Sequence, residues 1–310
     1  MDSLSGTITR TCDNLDRLTQ EVTPEGTVSY TYDAASRRTS MTVAGQLAIN
    51  SSYDNANRLT QITQGTSTVT IAYDNASRRT SLTLPTGTSI LYTYDAASQV
   101  TALTYQQGQT VLGTLTYTYD NNGNRLKQSG TWAGTGLPQP SGTVAVNANN
   151  QMLTFGNTTL MYDFNGNMTS ATDSFGPATY TWDARNRLTG ISATGLTASF
   201  QYDSLGRRTN KTINETITRF LYDGLNPVQE LSASAVMANL LTGLGIDEYL
   251  TRTDGNGTVS YLDDALGSTR ALIDNTGTVQ TSYTYEPFGN NTTAGSASTR
   301  FKPCWRNNNR

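Results

Sequence analysis

The chain has 310 residues, with 24 acidic against 21 basic side chains and no histidine. No segment concentrates lysine or arginine, so neither nucleic acid nor an anionic membrane is indicated, and the missing histidine excludes a Ser-His-Asp or Cys-His catalytic group. Apolar residues make up 35%, below the roughly 45 to 50% usual for globular chains, so a thin core in one elongated body is expected.

Cys12 and Cys304 stand at opposite ends of the chain, which excludes a disulfide framework and, without histidine, leaves no set of zinc ligands. No metal or cofactor is expected. The longest apolar stretch, near Val236 to Leu241, is far short of a membrane span. Met1 is followed by Asp2-Ser3 rather than by a basic and then apolar segment, so no export signal is expected within the chain.

Taken in order, the sequence repeats one unit. A worn copy at Cys12-Asp13 is followed by Tyr32-Asp33, Tyr53-Asp54, Tyr73-Asp74, Tyr94-Asp95 and Tyr119-Asp120, and then by Tyr162-Asp163, Trp182-Asp183, Tyr202-Asp203 and Tyr222-Asp223. From aspartate to aspartate the intervals are 20, 21, 20, 21, 25, 43, 20, 20 and 20 residues, and the long gap holds another worn copy at Val146-Asn147. A fixed period of this size marks a repeat architecture in which one supersecondary unit is stacked many times.

Each unit reads as a β-hairpin. Before the Tyr-Asp pair the residues alternate, with Val28, Tyr30 and Tyr32 on one face and Thr27, Ser29 and Thr31 on the other, the period of a strand rich in β-branched residues. A four-residue turn and a second strand follow, as in Arg58 to Ile62 and Arg187 to Ile191, and a glycine turn such as Gly26, Gly65 or Gly87 leads into the next copy. The aspartate suits the turn because its carboxylate accepts backbone N–H bonds. Arginine stands four residues after six of the ten aspartates, at Arg17, Arg37, Arg58, Arg78, Arg187 and Arg207, but an exposed pair contributes little, so the turn bonds should dominate. About twenty-four strands at roughly 4.8 Å would give a sheet on the order of 115 Å across, which must curl.

The expected architecture is therefore all-β, tandem antiparallel hairpins in one long curved sheet, with helix admitted only near Ala235 to Leu241. Residues 1–230 form the hairpin array, interrupted by a loose Gly-, Pro- and Asn-rich insertion at about 127–160. Residues 231–300 follow a different pattern, and residues 301–310 differ again.

Within 231–300, Asp264, Leu266, Gly267, Ser268, Thr269 and Arg270 precede Tyr285, Pro287, Phe288 and Gly289. Together with the Tyr-Asp array, this segment resembles the RHS or YD-repeat proteins and the opening of their RHS-associated core. The resemblance implies a wall of a hollow β-shell that encloses a carboxy-terminal toxin or effector, released in many members by aspartyl self-cleavage. A member would continue with a Thr-Gly-Arg-Glu element and a tyrosine-rich segment. Here Lys302 to Arg310 stand instead, a tail that fits a frameshift or broken gene, and neither a cleavage site nor a cargo is expected after it. The implied role is a non-enzymatic shell or scaffold fragment of a secreted or cell-surface protein, partnered by an effector or by further shell segments. The alternative is a carbohydrate- or cell-surface-binding module.

Other chemistry has weaker support. Asp263-Asp264 and Asp247-Glu248 are adjacent carboxylates, but neighbours along a strand face opposite ways, so no acid–base pair is expected. Asp120 to Asn124 and Asp163 to Asn167 have oxygen ligands at alternate positions but lack the closing glutamate of a calcium loop, and read as hairpin turns. The 17 tyrosines stand mostly on the apolar strand face, where core packing accounts for them better than ligand contact.

Overall fold

A computed structural model of the chain describes residues 2–3, 5–134, 142–233, 235–285 and 291–295. Pro287, Phe288, Gly289, the tail at 301–310 and Cys304 lie outside the described residues. Among those described, every regular element is a strand, and apart from the short pairing of Asp2–Ser3 with Gly6–Thr7 each strand belongs to one of two antiparallel sheets. Sheet 1 has 12 strands running in chain order from Thr9–Cys12 to Arg125–Ser129, and sheet 2 has 16, from Val144–Val146 to Asn291–Gly295. Hairpin follows hairpin throughout, but the ribbon is divided into two sheets, and the division falls in the loose insertion.

The alternation of the sequence sets the faces of sheet 1. Its inner face carries the cross-strand pairs Tyr30–Met41, Ile62–Val69, Leu82–Ile90 and Leu103–Leu115, all buried. The outer face is hydroxyl-rich, and its threonines bond across strands, as Thr31 with Thr39 at 2.8 Å and Thr93 with Thr101 at 3.1 Å. Just after sheet 1, Trp132 folds back onto the inner face and stacks on Tyr105 with ring centroids 4.6 Å apart. Gly113 is required beneath it, since a Cβ there would lie 2.1 Å from the indole.

Sheet 2 changes character along its length. In its first part the strands alternate as in sheet 1 but are more open: Gly176–Trp182 runs half-buried, exposed, half-buried to its end, with Tyr180 and Ile191 paired on the inner face. From about Phe220 onward both faces are apolar. Leu221, Leu231, Leu241, Leu262, Ala271 and Ile273 take the face that is threonine elsewhere, and they pack into the same core cluster as the inner face of sheet 1. On the opposite face Phe220, Leu240, Tyr249, Tyr261, Leu272 and Tyr283 form a second buried cluster. The end of the chain is thus rolled in against its beginning, and the core is thicker than the 35% apolar content suggested.

Two-faced burial explains the one place where the sequence admits a helix. The stretch near Ala235 to Leu241 is the strand Ala235–Thr242 and contains no helix. Leu240 enters the tyrosine-rich cluster while its neighbour Leu241 enters the inter-sheet core. A strand buried on both sides loses the period-two pattern and reads as a short apolar run, which periodicity cannot distinguish from a helical segment.

Leu262, fully buried between the sheets, should lose about 2 to 5 kcal/mol of stability on replacement by alanine, the range for large-to-small core substitutions. Ile191→Ala, at a half-buried inner-face position of the open part of sheet 2, should cost clearly less. Urea unfolding of the two variants measures the difference, and equal losses would contradict the rolled-in packing.

Candidate functional site, a Tyr-Asp-Arg ladder and its seam

The repeated residues converge at one end of each hairpin. Asp33 accepts N–H bonds at 2.9 Å from Ala35 and Arg37 on one carboxylate oxygen, and the other oxygen accepts Arg37 Nε at 2.7 Å. The backbone closes the same turn through Asp33 N–H to Arg37 C=O and Ser36 N–H to Asp33 C=O. The fourth turn residue has positive φ, 61° at Ser36, 62° at Asn57 and 85° at Gly206, and the strand register shifts next to it. This is a type I turn ending in a left-handed bulge residue, which is why Ser, Asn, Asp or Gly occupies that place.

Arginine carries the unit beyond its own hairpin. Arg58 pairs with Asp54 through Nε, donates Nη1 to the carbonyl of Asp74 in the next hairpin at 2.9 Å, and lies 4.8 Å from the centroid of the Tyr73 ring. Tyr73 in turn donates its hydroxyl to Leu59 C=O at 2.9 Å, the residue directly after that arginine. The same clamp recurs with Arg17 on Tyr32, Arg37 on Tyr53, Arg78 on Tyr94, Arg187 on Tyr202 and Arg207 on Tyr222. Where tryptophan replaces tyrosine, Trp182 Nε1 reaches Met168 C=O at 2.8 Å. Each of these aromatic residues is thus held by the hairpin before it, through its ring, its polar tip or both.

Four successive units lack the arginine and have Gln99, Asn124, Gln151 and Asn167 in its place. Asn124 and Asn167 still bond the turn carboxylates of Asp120 and Asp163 at 2.9 Å, and Gln151 bonds Asn147, the neutral stand-in for aspartate. Both oxygens of Asp120 and Asp163 are therefore engaged within their own turns. These four units flank the division between the sheets.

The turn bonds perturb the carboxylates. Asp33, Asp54 and Asp74 are held below the ordinary carboxylate range, first by the N–H of the residue four places on and then by its guanidinium. In Asp120 and Asp163 the asparagine side-chain amide is the largest cause of the same downward shift.

Several repeat residues also close the seam between the sheets. Asp223 leaves the turn pattern: its carboxylate accepts Tyr30 Oη at 2.9 Å and Arg38 Nη1 at 2.6 Å from sheet 1. Arg207, buried, contacts Asp203 at 2.6 Å and Glu21 of sheet 1 at 2.8 Å, and Glu21 also meets Arg10 at 2.7 Å. Arg79 pairs with Glu248 at 2.7 Å. Tyr105 donates to the backbone carbonyl of Asp263 at 2.8 Å, and Ala265 N–H reaches Tyr117 Oη at 3.4 Å.

The segment from Asp264 to Tyr285 is a diverged copy of the same unit. Asp264 accepts the N–H groups of Leu266 and Ser268, Gly267 takes the positive-φ place at 78°, and Tyr285 donates to Thr269 C=O at 2.7 Å. The arginine has moved two places on, so Arg270 both bonds Asp264 at 3.1 Å and covers the Tyr285 ring at 5.3 Å. Asp274 closes one more such turn, accepting Thr276 and Thr278 N–H. Sequence reasoning missed it, although Asp274 with Gly277 three places on carries the signal. Glu21 and the buried pair of Glu230 with Arg252 at 2.8 Å were missed too, and nothing local marks them.

A stacked hairpin ribbon, clamped rung to rung and rolled in at its end, defines a β-shell protein. The chain belongs to the Teneurin YD-shell family, whose model matches residues 5–104 and 88–302. No curated protein sequence matches it. Among solved structures, it resembles TcdB2-TccC3 without the hypervariable C-terminal region at 16% identity and a TM-score of 0.62, over 96% of this chain and 20% of that one. The Photorhabdus luminescens Tc holotoxin pore is similar at 16% identity and a TM-score of 0.61, over 93% and 19%. The chain thus spans about a fifth of the length of these structures, and at such identity the likeness is one of fold.

Two substitutions probe the site. Arg207→Ala leaves buried Asp203 with only its backbone donors and Glu21 with Arg10 alone, and should cost about 2 to 4 kcal/mol, somewhat less than a fully uncompensated buried charge, whereas Tyr73→Phe removes one hydrogen bond and should cost about 0.5 to 1.5 kcal/mol, both read by chemical denaturation. Since Asp33, Asp54, Asp74, Asp120 and Asp163 titrate below their unfolded value near 3.9, their contribution is complete above that pH and is lost as pH falls through the folded value. Hydrogen exchange should show these five turns opening below about pH 4, and equal protection of them at pH 3 would contradict this.

Proposed function

We propose that this chain is a non-catalytic wall segment of a secreted or cell-surface β-shell, encapsulating or presenting a carboxy-terminal effector in longer relatives. The observation that supports it most is the clamp of each hairpin on the next, which turns the repeat into a continuous wall. Building that wall occupies the functional groups of the repeat, because turn carboxylates accept backbone N–H bonds and tyrosine rings lie against guanidinium groups. Membership of the YD-shell family supports a structural role, and the likeness to a Tc toxin assembly supports an effector as partner.

The ladder geometry weighs against the glycan-binding alternative, because a stacking platform needs aromatic faces open to solvent. The test pairs a glycan array with a pull-down, in which the carboxy-terminal region of a longer YD-shell relative is supplied as a separate polypeptide to the immobilised chain. Retention of that polypeptide with a blank array is the expected result. Binding of glycans without retention would overturn the proposal.

A further inference from the structure

One rung of the ladder has been rebuilt around an acid. Asp264 is the turn aspartate of its copy, so the place before it is the one that tyrosine or tryptophan fills in most units, and Asp263 stands there. It ends the rolled-in strand Gly257–Asp263, at the point where that strand meets sheet 1 and its carbonyl receives the Tyr105 hydroxyl. The residue as a whole keeps some surface, yet its Oδ1 is out of contact with solvent and has no hydrogen-bond partner.

Its surroundings are unsuited to a charge. From sheet 1 the Tyr105 hydroxyl reaches its carbonyl, and Tyr92 with Arg79 beside it is close enough to feel its charge; from its own sheet come Tyr261, Glu248 and Asp264, the last two opposing an ionised carboxyl, and Thr269, whose hydroxyl favours one. The guanidinium groups in this cluster are already engaged, Arg79 by Glu248 and Arg270 by Asp264. An ionised Asp263 would make a third carboxylate beside two neutralised ones. The cost of that falls on the contacts that hold the sheets together here, Tyr105 to Asp263 and Arg79 to Glu248.

We propose that Asp263 is a pH-operated catch on the seam between the two sheets: protonated it lets the rolled-in strands close against sheet 1, and ionised it loosens them. Burial pushes its carboxyl up to about 7, helped by the neighbouring Asp264 and Glu248 charges and opposed by the Thr269 hydroxyl, whose effect is weaker than the burial. The folded value therefore lies above the unfolded one, so the stabilisation is present at acid pH and is lost as pH rises through the folded value. The seam should be tighter at pH 5 than at pH 8, a window above the titration of the turn aspartates.

The test is hydrogen exchange of the full chain, expressed as protection factors for Val100–Gln107 and Gly257–Asp263 between pH 5 and pH 8. The opening constant of these strands should be higher at pH 8 than at pH 5, with the rise amounting to no more than about tenfold per pH unit and levelling off once the pH passes the folded value near 7. Asp263→Asn, neutral at every pH, should hold the low-pH protection throughout. A flat wild-type profile, or the wild-type slope retained in Asp263→Asn, would overturn the proposal. The carboxyl carbon of Asp263, followed by NMR in the wild-type chain, provides a readout that does not depend on the variant folding: a midpoint near 7 is expected, and one near the ordinary value of about 4 would overturn the catch.

Discussion

The structure depends on one group making three contacts at once. A repeat arginine such as Arg58 closes its own turn, donates to the backbone of the next hairpin and covers the next tyrosine ring. Each contact alone is weak at a surface. Their convergence on one planar group fixes the spacing of neighbouring hairpins, because the guanidinium can satisfy all three only at one separation and tilt. A ribbon of hairpins, which would otherwise slide in register or splay at its ends, becomes a wall of regular pitch.

Where the arginine is replaced by glutamine or asparagine, the turn survives and the link to the next hairpin weakens. Asn124 serves its own aspartate, and Asn167 reaches onward to the side chain of Asn186 at 2.9 Å. The break between the sheets falls among these units. Beyond it, the strands after Phe220 exchange a threonine face for a second apolar one, and the ribbon turns inward. Change in a single parameter, the polarity of the outward positions, thus separates wall from rolled-in end.

How much of this was legible in the sequence follows from the range of each interaction. Alternation such as Val28, Tyr30 and Tyr32 and the turn chemistry of Asp33 act within a few residues, so strands, turns and hairpin order were readable. The rolled-in end was visible only as lost alternation near Val236 to Leu241, the one stretch where a helix was also admitted. The partners of Asp223 lie 193 and 185 residues away at Tyr30 and Arg38, so its departure from turn duty could not be seen from a motif that it matches. Asp263 was legible as an acid, but its meaning emerged only when the turn of Asp264 placed it on a tyrosine rung.

The clamp also has a direction. Arg17 reaches forward to the turn of Asp33, Arg37 to that of Asp54 and Arg58 to that of Asp74, and in each case the receiving tyrosine points back. A finished hairpin therefore presents a prepared socket to the one that follows it in the chain, while the later hairpin offers no such socket to the earlier. As the polypeptide leaves the ribosome amino end first, each new hairpin meets a template already in place. The wall is suited to growth by accretion in the order of synthesis, with the apolar strands that roll inward arriving only when the surface they cover has been built.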